Sequence, residues 1–483
     1  MEMNTVALVH YHLRPGGVTS VLRACVTALR SAGVRTVVLT GEPVGEGEER
    51  WGPVECVPEL AYGEAYSDHG VRRLSAVLYA AARNVLGTPP DLWHFHNPSL
   101  GKNELLWPVL QHWAERGRRM LLQIHDFPED GRPENYRLLR TVSAEHSPEC
   151  MGSVLYPVGG GVHYAVLTKR ACKRLVDAGI PEERVHHLPN CTQLTGDTRV
   201  EPESPRERRT LLYPVRGIMR KNLGEFLLWS VLGGREGIRF AVSLAPIRPE
   251  ERRVFEWWRD LTEGWGLPVA FETGISALRT ASGVMTTSVK EGFGLAFVEG
   301  AAAGLPVLGR DLPEVTSDLR GEGMQLSGLY KRLRVPLRWI ELDMFRQELS
   351  VQMARMWRDY GRAFHSELVE TALSEWIEDD RIDFGCLTRE WQRRVIQRVI
   401  IRKDDAEEIT PRILGWDWTV AGESIERDRQ VVRERYSMDA YRARLSAVLD
   451  RIESTPEDGI EWLEGDALVD GFLDPTGFRP VLA

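Results

Sequence analysis

Along the first 193 residues the apolar positions alternate between two periods. Val6-Ala7-Leu8-Val9 is a short unbroken apolar run, the pattern of a strand buried on both faces. Val18, Val21, Leu22, Cys25, Leu29 and Ala32 then recur at helical spacing. Val37-Val38-Leu39, Leu92-Trp93-His94-Phe95, Leu121-Leu122-Gln123-Ile124 and Ala165-Val166-Leu167 predict further strands, with helices expected over 71–86, 104–118 and 169–178. Residues 194–209 are polar, charged and Pro-containing, the best linker in the chain. The alternation then restarts, with strands expected at 211–215, 240–244, 269–271, 283–285 and 306–308. Strands alternating with helices specify an α/β fold, here two Rossmann-like doubly wound parallel-sheet domains. Such a pair leaves a cleft beyond the carboxyl ends of the strands, where open sheets bind ligands. Past about 340 the strand pattern fades into charged helical sequence rich in Trp and Arg. The expected division is 1–195, 208–340, a helical insertion over 341–430, and a closing helix and tail over 431–483. Glu378-Asp379-Asp380 is expected to be a solvated face.

Composition narrows the classes. A chain of 483 residues has room for two or three domains, and its 43% hydrophobic content excludes wholesale disorder. A net charge of −9 argues against a dedicated nucleic-acid binder. The six cysteines show no Cys-x-x-Cys and no metal spacing, so reduced thiols are expected. No apolar run reaches the ~18 residues of a membrane span. The first strand begins almost at the first residue, leaving no room for a signal peptide. A cytoplasmic protein is the expectation, with oligomeric state left open. The predicted helix 71–86 carries Arg72, Arg73 and Arg83 beside Leu74, Val77 and Leu78. It reads as a core-facing helix with a solvated edge, so membrane association is not expected.

The densest chemistry lies at 288–309, which opens Ser-Val-Lys-Glu-Gly-Phe-Gly-Leu. Glu291 and Glu299 stand eight positions apart around a Gly-Phe-Gly turn that opens a predicted helix over 295–303. Gly304 and Pro306 end that helix. The amides of a helix N-terminus form an anion site, and Gly292 and Gly294 let a ligand approach the backbone. Carboxylates accept hydrogen bonds from hydroxyls, so a ligand bearing both phosphate and sugar hydroxyls fits. The pattern, including Ser288 and Gly304-Leu-Pro-Val, resembles the E-x7-E signature of the retaining GT-B-fold glycosyltransferases of family 4. That resemblance implies GT-B architecture with a helical C-terminal extension. The first domain would hold the acceptor and the second the donor. Glu291 would contact sugar hydroxyls and Glu299 the nucleotide ribose, with Gly292, Phe293, Gly294 and Leu295 lining the donor. Residues 436–453 resemble the family's closing helix, which crosses back to the first domain; the stretch from about 345 to 430 would then be an insertion.

The resemblance extends to other residues. Arg216 and Lys221 match the family's Arg…Lys pair on the nucleotide diphosphate, with Arg220 a rival for the Lys221 role. The family has Gly before that Arg, where this chain has Val215. Gly16 and Gly17 match a Gly-Gly beside the donor phosphates or acceptor. His125 resembles the first-domain His at the donor sugar. His94 and His96 share a strand face with no third metal ligand evident, so they are expected in the acceptor pocket, as is Lys102. Arg132, Glu134 and Asn135 lie in loops that set acceptor choice.

The expected activity is transfer of a hexose from a nucleoside-diphosphate sugar to a hydroxyl acceptor, with retention by front-face attack. No cofactor or metal is expected, and no Asp-x-Asp motif marks a strand end. The competing readings are a glycoside phosphorylase on the same fold and a non-catalytic sugar-nucleotide-binding protein.

Overall fold

The computed structural model describes residues 3–45, 51–146, 151–192, 209–411, 422–456, 459–463 and 466–482. The linker expected at 194–209 lies outside them, apart from Arg209. The chain forms two compact units. The first comprises Met1–Cys191, Arg358–Arg362 and Ser437–Leu473; the second comprises Thr192–Trp357, Ala363–Tyr436 and Asp474–Ala483.

The first unit is built on strands β1 (Thr5–His10), β2 (Arg35–Thr40), β3 (Val54–Cys56), β4 (Leu92–His96) and β5 (Met120–Ile124). Past the short β6 (Pro157–Gly159) come β7 (Val162–Val166) and β8 (Val185–His187). The order β3-β2-β1-β4-β5-β7-β8 is parallel throughout and reverses at β1, so β1 and β4 flank the switch point where open sheets bind ligands. β1, β4 and β5 are buried along their whole length, which explains their unbroken apolar runs. The helix Gly17–Ser31 turns Leu22, Cys25, Val26 and Leu29 into a core shared with Leu8 and Val38. Tyr441, Leu445, Val448 and Ile452 of the helix Met438–Ser454 complete that core. Each such side chain contributes about 1.5–3 kcal/mol on full burial, so the closing helix is an integral layer of this unit.

The second unit holds β9 (Thr210–Arg216), β10 (Arg239–Leu244), β11 (Val269–Phe271), β12 (Gly283–Thr286), β13 (Val307–Arg310) and β14 (Gly328–Tyr330). Its order, β11-β10-β9-β12-β13-β14, is again parallel with a reversal at β9. Gly309 of β13 has φ 125°, and a Cβ there would lie 1.9 Å from the Thr286 carbonyl oxygen, so only glycine fits.

Two features depart from the sequence expectations. Residues 341–430 are not purely helical. Ile377–Glu378, Arg381–Asp383 and the preceding Arg334–Pro336 form a three-stranded antiparallel sheet. Its strands of two or three residues are too short to show a period. Asp379 and Asp380, exposed as expected, form the hairpin turn between two of them with φ of 51° and 55°. The short strands β3, β8 and β14 escaped notice for the same reason. Among the described residues, no helix is long and apolar enough to cross a membrane.

Candidate active site

The second unit links two of the expected donor residues, Lys221 and Glu291, into one hydrogen-bonded assembly. β9 ends at Arg216, and a single turn, Met219–Lys221, follows. The Lys221 carbonyl accepts from the Tyr213 hydroxyl at 3.0 Å and from the Thr287 hydroxyl at 3.1 Å, and Val289 N–H donates to the Arg220 carbonyl at 3.0 Å. The loops after β9 and β12 are thereby locked together. Lys221 Nζ forms an ion pair with Glu291 in which both side chains are buried. Ser288 Oγ donates to the same carboxylate oxygen at 2.6 Å and lies 2.6 Å from the Tyr213 hydroxyl. Burial opposes ionisation of Glu291. The charges of Lys221 and Arg220, with hydrogen bonds from Lys221 and Ser288, outweigh it and hold the carboxyl below its usual range.

Gly294 caps the helix Leu295–Ala302 with φ 80°, and a Cβ there would stand 2.6 Å from the Phe297 ring. The Gly-Phe-Gly turn is thus glycine-dependent at its third position. Gly292 is half-buried, as is Leu295. Phe293 is buried, and its ring packs 5.9 Å from that of Tyr436, so its side chain is committed to packing. Burial pushes the Glu299 carboxyl up to about 7. The Arg216 guanidinium donates to the Ala245 carbonyl at 3.2 Å.

The first unit is built differently. His94 and His96 point to one face of β4, as their spacing implies, with rings stacked at 4.4 Å. His94 lies 2.9 Å from Gln123 Oε1 through Nε2 and 3.5 Å from Cys25 Sγ through Nδ1. His96 Nδ1 lies 3.0 Å from His125 Nε2, and the His10 ring nitrogen lies 3.0 Å from the His96 carbonyl oxygen. Desolvation keeps all of them neutral. It lowers His10 and His94 to about 4, His125 to about 3 despite neighbouring Asp126, and His96 well below 6.5.

This placement sets the two strand histidines in the interior of the first unit. Both are only 1% exposed, because β4 is a central strand covered on each side. His96 is within hydrogen-bonding reach of His125 and supports it from below. The structure also supplies the third donor that the spacing lacked. Cys25, from the helix Gly17–Ser31, brings Sγ within 4.8 Å of the two imidazoles. Burial pushes that thiol up to about 12, and Cys25 Sγ lies within hydrogen-bonding reach of His94 Nδ1.

Nearer the surface, Lys102 stands 6.0 Å above the ring of exposed Tyr62, which also packs against His12 at 5.2 Å. Gly16 is extended at φ 179°, and a Cβ on Gly17 would meet nothing within 4 Å. The fold therefore does not require glycine at either position, and Gly17 opens on unfilled space. Arg132 is paired with Asp126 at 2.7 Å, and Asn135 donates to the Leu100 carbonyl at 2.7 Å.

Sequence reasoning missed Asn97 and Glu129. Asn97, at φ 56°, accepts the backbone N–H groups of His125 and Asp126 at 2.8 and 3.0 Å and so shapes the His125 turn. The signal was available, since Asn is the non-glycine residue that best tolerates this conformation and it stands directly after β4. Glu129 is buried, pushed up to about 7 by desolvation, and accepts from the Tyr156 hydroxyl at 3.0 Å. Nothing in its local pattern marked it.

Comparison with known proteins places this architecture. No protein-family model matches the chain. It is similar to mannosylglucosyl-3-phosphoglycerate synthase of Petrotoga mobilis, with 25% identity over 486 residues covering 94% of this chain and 92% of the relative. Anabaena HepE, solved in complex with UDP and glucose, has a TM-score of 0.52 at 13% identity, covering 93% of this chain and 100% of its own. Sucrose-phosphate synthase of Thermosynechococcus elongatus gives 0.55 at 14%, covering 93% and 99%. Two Rossmann-like units of this kind, with these likenesses, give the chain the GT-B fold.

Proposed function

We propose that the chain transfers a hexose from a nucleoside-diphosphate sugar to a hydroxyl of a phosphorylated, acidic glycoside, with retention of anomeric configuration and without a metal ion. The Lys221–Glu291 pair beside the Gly294-capped helix carries this reading. A carboxylate held ionised can orient sugar hydroxyls, while Lys221, Arg216 and the helix amides meet the charge that develops on the departing diphosphate. The charge a metal would otherwise supply is thus available from the chain. Front-face attack lets the leaving phosphate oxygen take the acceptor proton. His125, neutral over the working range, contributes hydrogen bonding rather than a proton. The acceptor class follows from the name of the Petrotoga relative, and Lys102 supplies positive charge in the first unit suited to an acidic acceptor.

The test is an assay of purified protein with GDP-mannose or UDP-glucose, with and without glucosyl-3-phosphoglycerate, in the presence of EDTA. Product anomers are read by NMR. The expected result is an acceptor-dependent, EDTA-resistant release of nucleoside diphosphate and an α-linked product. Turnover that needs inorganic phosphate and ignores nucleotide would establish a phosphorylase instead.

A further inference from the structure

Most of the segment 341–430 packs within the second unit, and two of its buried polar side chains, Gln392 and Asp383, lead to one place. Gln392, on the helix Arg389–Ile401, is fully buried and donates through Nε2 to Asn222 Oδ1 at 2.8 Å and to the Phe384 carbonyl at 3.2 Å. Asn222 directly follows Lys221. It holds φ 50° and ψ 57°, a left-handed conformation uncommon for residues other than glycine and best tolerated by Asn. Its Nδ2 donates to Glu225 Oε2 at 2.9 Å, and its carbonyl accepts from the Thr287 hydroxyl at 3.2 Å. Only one orientation of the Asn222 amide satisfies both a glutamine donor and a carboxylate acceptor. Glu225 is in turn gripped by Arg310 at 3.0 and 2.6 Å, and Arg310 forks onto Asp383 at 2.8 and 2.7 Å. The network runs Asp383–Arg310–Glu225–Asn222–Gln392, begins and ends in the segment 341–430, and meets the backbone one residue from the cation.

We propose that Gln392 and Asp383 are positioning residues for the donor site, holding the Asn222 turn so that Lys221 is presented beside Glu291. An apolar core would stabilise the unit more simply, because burying an ion pair costs desolvation. What a polar network adds is a fixed geometry, and here that geometry falls on the turn carrying Lys221. The room for it is tight: a Cβ on Gly224 would lie 2.1 Å from Gln392 Oε1. The inference rests on Lys221 binding the donor diphosphate.

The test compares Gln392→Met, which keeps the volume and removes the donor, with Val399→Ala, a buried change on the same helix outside the network. Melting temperature, binding of UDP or GDP, and separate KM values for donor and acceptor are measured. Gln392→Met should raise the nucleotide Kd and the donor KM by about tenfold, as expected for a displaced binding group, with the acceptor KM unchanged. Val399→Ala should lower the melting temperature and leave nucleotide binding as in the wild type. Asn222→Gly, which adopts the same backbone without the anchor, should reproduce the Gln392→Met effect. It should add little to it in the double variant, and it serves alone if Gln392→Met does not fold. Wild-type nucleotide affinity in Gln392→Met, or in Asn222→Gly, overturns the proposal. So does an equal loss in Val399→Ala. Lys221→Ala separates the two levels: if it binds nucleotide normally, the donor-site reading itself falls, and if it alone loses binding, only the positioning role falls.

Discussion

The two sheets present their strand ends to chemistry in opposite electrical states. Beyond β9 and β12 a lysine and a glutamate stay charged although buried, because each is the other's partner and Ser288 and Arg220 reinforce the carboxylate. At the ends of β1, β4 and β5 several histidines are buried as deeply, yet their partners are other histidines, an amide, a thiol and a carbonyl. Desolvation therefore removes their charge. One topology thus yields an ionic site or a neutral one according to the partner each buried group is given. On the proposed function, the charge of a leaving diphosphate would fall on the first kind of surface.

The sharpest way to break this comparison is to neutralise the ionic side. Lys221→Met and Glu291→Gln should each lower turnover by about 10²–10³, the scale of losing one preorganised electrostatic contact. Lys221→Met should also destabilise the fold, because breaking a buried pair costs up to about 3–5 kcal/mol, with Arg220 and Ser288 offsetting part of it. The double variant should regain the melting temperature and not the turnover. A double variant that recovers both would show the pair to be structural.

The neutral side has its own signature, next in size. His10 and His94 titrate near 4 and His125 near 3, against an ordinary value of 6.5. Between those values the unfolded chain binds protons that the folded chain refuses. Each such group therefore contributes a rise in stability with pH from about 4 to 6.5, of up to about 1.4 kcal/mol per pH unit. Melting curves across pH 4–7 should show this slope, and His94→Gln should flatten it. Buried Glu129 and Glu299 add slopes of opposite sign, so the deciding comparison is with the variant: if His94→Gln keeps the wild-type slope, His94 is not desolvated as described.

How far each side could be read from sequence follows the same division. The donor loop was legible because its chemistry is local: Glu291, Gly294 and Glu299 lie within nine residues, and the left-handed Gly294 announces the turn. The long parallel strands were legible because apolar runs register burial directly. The roles of His94 and His96 were not, because their period gives a face and not a depth. Depth depends on the helix that covers the strand and on Cys25, 69 residues away in sequence. Gln392 and Asp383 escaped for a related reason. They matter only through Asn222 and Arg310, partners 170 and 73 residues distant, which no window brings together.

The smallest effect tests whether the ionic side extends along its helix. Burial alone pushes the Glu299 carboxyl to about 7. In the empty protein the folded carboxyl keeps its proton up to about 7, whereas the unfolded one releases it near 4.5. This group's contribution to stability is therefore present below 4.5 and is lost as pH rises through 7. That sign is opposite to the one for the histidines. Binding runs the other way. A carboxylate that accepts hydrogen bonds from ribose hydroxyls must be ionised, so nucleotide affinity should rise as pH passes from 6 to 8. A full charge-assisted hydrogen bond adds about 1.5 kcal/mol over a neutral one, which bounds the rise at roughly tenfold, and a few-fold change is expected. Glu299→Gln keeps the shape and should abolish the pH step while leaving affinity near its low-pH value. Titrations at pH 6, 7 and 8 decide the matter. If the variant keeps the step, the proton belongs elsewhere, and Glu299 then stands with the buried histidines as packing rather than with Lys221 and Glu291 as a ligand clamp.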